Sequence, residues 1–302
     1  MARTKTPPTD ATPDATPDAT TAPAPAPARA VVEDEARVVE RLRRHLAFLG
    51  LTHTGKALDE LLAWALRERP GHTAWLEHVL AGEVDHKSAA RIARRIQSSG
   101  LIESKTLEAF DWDFQPSLDR PLVLELARLD FVRRHDDLVI TGKSGTGKSH
   151  ILKALGLRAC VQGLSLRYAR CVDLIADLHA GLADDTYPQR LKAWARPELL
   201  IIDDVGLGQV RQRDDDPTAA HTLFNLVDRR HGRLSTAVTS NVDLREWGRF
   251  LGDNTVAAAI LDRLAMHAIR IDIDGPSYRQ HVATERAGSS QTTEATKAGK
   301  SA

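Results

Sequence analysis

The sequence predicts an α/β fold, a mostly parallel sheet with helices on both faces. Three observations predict it. A glycine-rich stretch at residues 142–149, GKSGTGKS, stands between a compact apolar run at 138–140 and a helical pattern beginning near His150. A second, continuous apolar run at 199–202 ends in two acids, as a strand buried on both faces does. Strand and helix signals then alternate to residue 273, the pattern of a parallel sheet with crossover helices.

The glycine-rich stretch fits G-x-x-x-x-G-K-[ST] at every fixed position, in the order strand, loop, helix. Gly142, Lys143, Ser144, Gly145, Thr146, Gly147, Lys148 and Ser149 would cradle phosphates. Glycine lets backbone N–H groups approach phosphate oxygens, and the helix N-terminus adds its positive dipole end. Lys148 would reach the β- and γ-phosphates, and the Ser149 hydroxyl would ligate Mg²⁺.

The 302 residues are enough for one large domain and a smaller one. Hydrophobic content of 42% and charged content of 27% describe an ordinary soluble protein. Formal net charge is zero, so nucleic-acid contact must come from local patches. Two cysteines, Cys160 and Cys171, read as buried reduced thiols rather than a metal or disulfide framework. No run of 18 apolar residues exists and the N-terminus lacks a charged-then-apolar signal pattern, so a cytoplasmic location is expected.

Residues 1–30 repeat Ala-Thr-Pro-Asp and alternate Ala-Pro. They lack apolar side chains for a core and are expected to be disordered, with polyproline II character. Residues 31–108 read as a helical domain. Val38, Val39, Leu42, Leu46 and Leu49 make one stripe. A second helix is expected over 57–69, stopped by Pro70-Gly71, a third over 72–81 and a fourth over 86–97. In the fourth, Ala89, Ile92, Ala93 and Ile96 line one side and Lys87, Arg91, Arg94 and Arg95 the other. That basic side is either a solvated surface or a contact for a phosphate backbone.

Residues 109–285 read as the α/β domain. Its connector, 110–116, mixes aromatics with acids and ends at proline. Its rings either wall a nucleotide base or pack between domains. Helical spacing over 121–133 leads to the first strand. After the phosphate loop, helices are expected over 151–162, 172–182, 187–195, 218–230, 244–250 and 256–266. Strands are expected over 164–169, 199–202, 235–240 and 268–273. From residue 286 the chain is polar and expected to be disordered.

Four further residues complete the predicted chemistry. Asp203, ending the buried strand, would hold the Mg²⁺ shell, and Asp204 would orient and deprotonate the attacking water. Asp203-Asp204-Val205-Gly206 also fits D-x-x-G, but the guanine-reading N-K-x-D is missing, which favours ATP. Asn241, after the 235–240 strand, either reaches the γ-phosphate and its water or caps the next helix. Arg263 either inserts into a neighbouring subunit's nucleotide site or pairs locally with Asp262 or Asp272.

These motifs together resemble one family. Besides the loop and acid pair, the residues are Leu-Asp-Phe-Val at 129–132, Glu-Trp-Gly at 246–248, Leu-Asp-Arg-Leu at 261–264 and Ser-Tyr-Arg at 277–279. Over residues 36–285 the chain resembles the IstB family of transposition helper ATPases, kin of the helicase loader DnaC among the AAA+ ATPases. The resemblance implies a Mg²⁺-dependent ATPase that forms a homo-oligomer on double-stranded DNA, bends it and recruits a transposase. It also implies Asn241 as sensor, Arg263 as arginine finger and DNA contact by the basic helix. One departure stands out: the family has Glu where this chain has Asp204. Two other readings share the same residues. One is a loader of a replicative helicase; the other is an ATP-gated adaptor with little hydrolysis. The loop at 206–217, with Arg211, Arg213 and three successive acids, has no counterpart in the family pattern.

Overall fold

A computed structural model describes residues 34–103, 105–206, 217–266 and 268–284. The expected tails and the 207–216 part of the acidic loop lie outside those residues. Two compact units are distinguished, Met1–Leu80 and Ala81–Ala302. The boundary expected near residue 108 falls inside the second, because Leu101 and Leu107 pack in its core.

The first unit is helical. Helix α1 (Glu35–Phe48) starts where the Asp34 carboxylate accepts the Ala36 N–H. A short α2 (Thr52–Lys56), absent from the expected pattern, precedes α3 (Leu58–Glu68). Arg69 closes α3 in the left-handed conformation, just before Pro70. Arg43 grips both oxygens of Asp59 at 2.6 and 2.7 Å, and Trp64 stacks on His78. The expected third and fourth helices are one, α4 (His72–Ser99). Gly82 is the only helix-weakening residue at the expected break, and one internal glycine costs about 1 kcal/mol, too little to end a helix flanked by good formers.

In the second unit, the helix expected over 121–133 is two. Asp119 caps α5 (Arg120–Leu126), and Leu129 then turns left-handed, φ 63°, before α6 (Asp130–Arg133). That turn buries Leu129, Phe131 and Val132 together. Strand β1 (Asp137–Gly142), helix α7 (Lys148–Val161), β2 (Leu166–Arg170), α8 (Cys171–Ala183), α9 (Tyr187–Ala195) and β3 (Leu199–Val205) follow. Then come α10 (Ala219–Arg230), β4 (Ser235–Ser240), a single 3₁₀ turn at Leu244–Glu246, α11 (Trp247–Leu251), α12 (Asn254–Ala265) and β5 (Ala268–Ile273).

The five strands form one parallel sheet in the order β2-β3-β4-β1-β5. Side chains alternate across it. Leu138, Ile140, Leu199 and Ile201 join α5, α6 and α7 in one cluster. Val139, Leu200 and Ile202 join α8 to α12 in the other. Both cysteines are buried and free, as expected.

The family motifs have packing reasons. The fully buried Trp247 donates its indole N–H to Ser240 Oγ at 3.0 Å, fixing the end of β4. At Gly248 a Cβ would lie 2.0 Å from Asn254 Oδ1, so α11 and α12 meet only without a side chain there.

Arg230, at the end of α10, is fully buried. It donates to Thr236 Oγ1 and to the carbonyls of Ala195, Pro197 and Ser235. Burial lowers its pKa to about 10, opposed by the Asp137 carboxylate. The guanidinium ties three chain segments at the edge of the core. Arg230→Met is expected to destabilise the protein by about 3–5 kcal/mol, since buried carbonyls lose their donors. A urea midpoint measured at constant m-value checks this.

Candidate nucleotide site

The carboxyl ends of parallel strands share one edge of the sheet, where α/β ligands bind. The loop after β1, the acids ending β3 and the residue after β4 converge there around a cavity of about 840 Å³. Gly145, Thr146, Gly147, Lys148, Ser149, Asp203, Asp204 and Asn241 all line it. Gly142, Lys143 and Ser144 do not, although they belong to the same loop. The Lys143 side chain points to Asp274, 3.7 Å away, while its carbonyl accepts from Thr146 Oγ1 and Lys148 Nζ at 2.9 and 2.6 Å.

Gly147 has φ 101° and starts α7; a Cβ there would sit 2.6 Å from the Phe110 ring. At Gly145, φ 86°, a Cβ would sit 2.1 Å from Ser277 Oγ. The loop is therefore clasped between the connector and the segment after β5. Gln115 Nε2 donates to the Pro276 carbonyl, and the Tyr278 N–H to that of Gly145. Phe110 is core, edge-on to His150. Phe114 lines the cavity beside Tyr278. Phe114 thus stands on the cavity wall, while Phe110 packs inside one unit rather than between domains.

Lys148 is 3% exposed. Burial holds its pKa down to about 8 from 10.5; Asp204 and Asp203 oppose the shift and Arg279 adds to it. Ser149 Oγ donates to Asp203 Oδ1 at 2.8 Å, and Thr239 Oγ1 donates to the same oxygen. Tyr168 Oη donates to Asp203 Oδ2 at 2.7 Å. Burial and that carboxylate push the phenol pKa up. Asn241 Nδ2 donates to Asp204 Oδ1 at 2.8 Å, so the amide faces the acid instead of capping the next helix; Asp243 caps the 3₁₀ turn. Asp204 itself is left-handed, φ 58°, at an irregularity in the β3–β4 register. Asp tolerates that conformation better than longer side chains do.

Magnesium takes hard oxygen donors and is held through one or two carboxylates plus phosphates and water. Ser149 Oγ and Asp203, adjacent on the cavity wall, fit that requirement. Among the described residues no cluster of three or more His, Cys, Asp or Glu could hold a metal alone.

Other expected site residues lie elsewhere. Arg263 is not on the cavity wall. Its local pairing is with neither Asp262 nor Asp272 but with Asp228 of α10, at 2.7 Å, over the Phe224 ring. Asp262 is the preceding residue on the helix, about 100° round from Arg263, and Asp272 accepts from Thr141. Along α4, Arg91 and Arg94 are exposed while Lys87 and Arg95 are half-buried. Lys87 lies 3.6 Å from the buried Glu83. Ala89 and Ala93, expected inside, are exposed; Ile92 and Ile96 are half-buried. Sequence reading missed Tyr168, Thr239 and Arg279 as site residues. Thr239 stood two residues before the singled-out Asn241, and Arg279 closed the Ser-Tyr-Arg motif without a role. Tyr168 had no signal.

Fold and cavity define a P-loop nucleotide-binding protein. Residues 44–286 match the family described as IstB-like ATP binding protein. The chain belongs to that family. A putative insertion sequence ATP-binding protein of Sinorhizobium fredii is 35% identical over 77% of this chain and 93% of its own. The insertion sequence IS21 putative ATP-binding protein of Pseudomonas aeruginosa is 32% identical, over 78% and 86%. Among solved structures, AMPPCP-bound DnaA from Aquifex aeolicus is 20% identical with a TM-score of 0.48, covering 63% of this chain and 56% of that one.

Proposed function

We propose that this chain is a Mg²⁺-dependent ATPase that engages double-stranded DNA as a homo-oligomer in the cytoplasm and serves a transposase. The convergence of Lys148, Ser149, Asp203, Asp204 and Asn241 on one cavity carries the enzymatic part. The curated relatives are ATP-binding proteins of insertion sequences, which supports the transposition part. The loop amides and Lys148 would bind phosphates, and Ser149 and Asp203 would hold Mg²⁺, which neutralises phosphate charge. Asp204 would orient water and accept its proton, with Asn241 fixing the Asp204 carboxylate. Arg263, released from Asp228, would serve a neighbouring subunit's site. Among the described residues no helix is long and apolar enough to cross a membrane.

The test is ATP turnover by the full chain with and without duplex DNA, beside Lys148→Ala. Stimulated turnover that the variant loses supports the reading; equal background rates refute the enzyme. Capture of a replicative helicase rather than a transposase would turn the reading toward a helicase loader.

Lys87, Arg91, Arg94 and Arg95 are proposed to meet DNA phosphates. Four such contacts predict a log affinity against log salt slope of about −3.6. Neutralising the exposed pair, Arg91→Gln with Arg94→Gln, should flatten that slope by about 2. A slope unchanged by the pair would remove α4 from the interface.

A second reading is favoured by Asp204. It is one methylene shorter than the family's Glu, and one of its oxygens is held by Asn241. In that reading ATP gates assembly on DNA with little hydrolysis. Oligomers that form with a non-hydrolysable analogue as readily as with ATP would support it.

A further inference from the structure

Asp203 is 2% exposed and receives three hydroxyls. Ser149 and Thr239 donate to Oδ1; Tyr168 donates to Oδ2. The first two come from the phosphate loop and from the neighbouring strand β4. Tyr168 comes from β2 on the other side, in register with Ile201, two residues before the Arg170–Asp203 pair. Its ring lines the cavity, with the Lys153 ammonium 5.5 Å from its centroid. Its carbonyl lies against Gly100, where a Cβ would approach to 2.7 Å. The side chain and its backbone are thus held from two sides.

The geometry points to Tyr168 as a positioning residue for magnesium, acting through Asp203. This rests on the nucleotide and Mg²⁺ reading above. A carboxylate turns easily about its terminal bond, where the torsion is broad and roughly two-fold. Donors on Oδ1 alone pin one oxygen and leave the plane free to tilt. A donor on Oδ2 from the opposite side fixes the plane. With the plane fixed, Ser149 keeps its proton on Oδ1 and its lone pairs stay available to a cation. Thr239 links the same carboxylate to the Asp204 backbone, whose N–H it accepts at 2.8 Å. Tyr168 therefore sets the orientation of the metal acid through its hydrogen bond to Asp203 Oδ2. Partners that orient a metal ligand typically carry about 10- to 100-fold in metal affinity.

The experiment uses the full chain, a ribose-labelled fluorescent ATP and MgCl₂, comparing wild type with Tyr168→Phe. The variant keeps the ring and removes only the hydroxyl. The Mg²⁺ concentration giving half-maximal binding should rise about tenfold. Nucleotide affinity in EDTA should stay at the wild-type value, while the melting temperature falls by a few degrees because the buried Asp203 carboxylate loses one donor. Equal Mg²⁺ midpoints would overturn the inference and leave the nucleotide site standing. An equal loss with and without Mg²⁺ would make Tyr168 a strand tether and overturn it too. Wild-type binding that ignores Mg²⁺ would overturn both this inference and the metal reading beneath it.

Discussion

Lys148→Ala should weaken nucleotide binding and turnover by about 100-fold or more while leaving the protein as stable as wild type, or more so. The two halves of that result have one cause. The ammonium is 3% exposed, and burial lowers its pKa to about 8. In the nucleotide-free protein it is a desolvated charge held by the Lys143 carbonyl and the nearby acids. Removing it relieves a cost to the fold. A triphosphate supplies the missing counter-charge, so the charge strengthens only the complex; removing one such preorganised donor typically costs about 10²–10³. The pH dependence has the same sign. Below pH 8 the lysine is already charged and affinity should be flat. Above pH 8 binding must take up a proton, and the dissociation constant should rise toward tenfold per pH unit until the complex itself titrates. Fluorescent-nucleotide titration at several pH values, beside thermal melts, reads both effects. A variant that binds as wild type does would mean the loop cradles no phosphate.

Asp204→Asn is expected to cut ATP turnover by about 10²–10⁴ with little change in affinity. The amide keeps an oxygen for the Asn241 donor, so the hydrogen bond at 2.8 Å survives. Only the capacity to take a proton is lost. The position also explains why a shorter acid suits this chain. Residue 204 sits at φ 58°, a conformation that Asp adopts more readily than Glu. Local backbone and acid length are therefore matched. Steady-state phosphate release and nucleotide affinity, measured on the same preparation, separate the two quantities. Wild-type turnover in the Asn variant would assign the water to another base or to none.

The sheet was legible because its strands are short, apolar and separated by helices, and the phosphate loop because every fixed position was filled. The limits lay where backbone geometry, not pattern, decides. Leu129 breaks a helix through its own left-handed turn, although its side chain continues the helical spacing. The gap expected between residues 81 and 86 does the reverse: it lies inside α4. Tyr168 was invisible because its partner, Asp203, is 35 residues away and on the next strand. The Arg263 partner was misjudged for the same reason, since Asp228 lies 35 residues earlier on a packed helix. Contacts across elements carry no periodic trace in a single sequence. They follow from register and helix packing, which the fold supplies.

A magnesium-bound adenosine triphosphate is proposed to occupy the cavity among Lys148, Ser149 and Asp203. Isothermal calorimetry of folded protein with Mg-ATP tests it most directly. Saturable heat at one nucleotide per chain is expected, lost in Lys148→Ala. Dilution heat alone from a folded wild-type sample would contradict it.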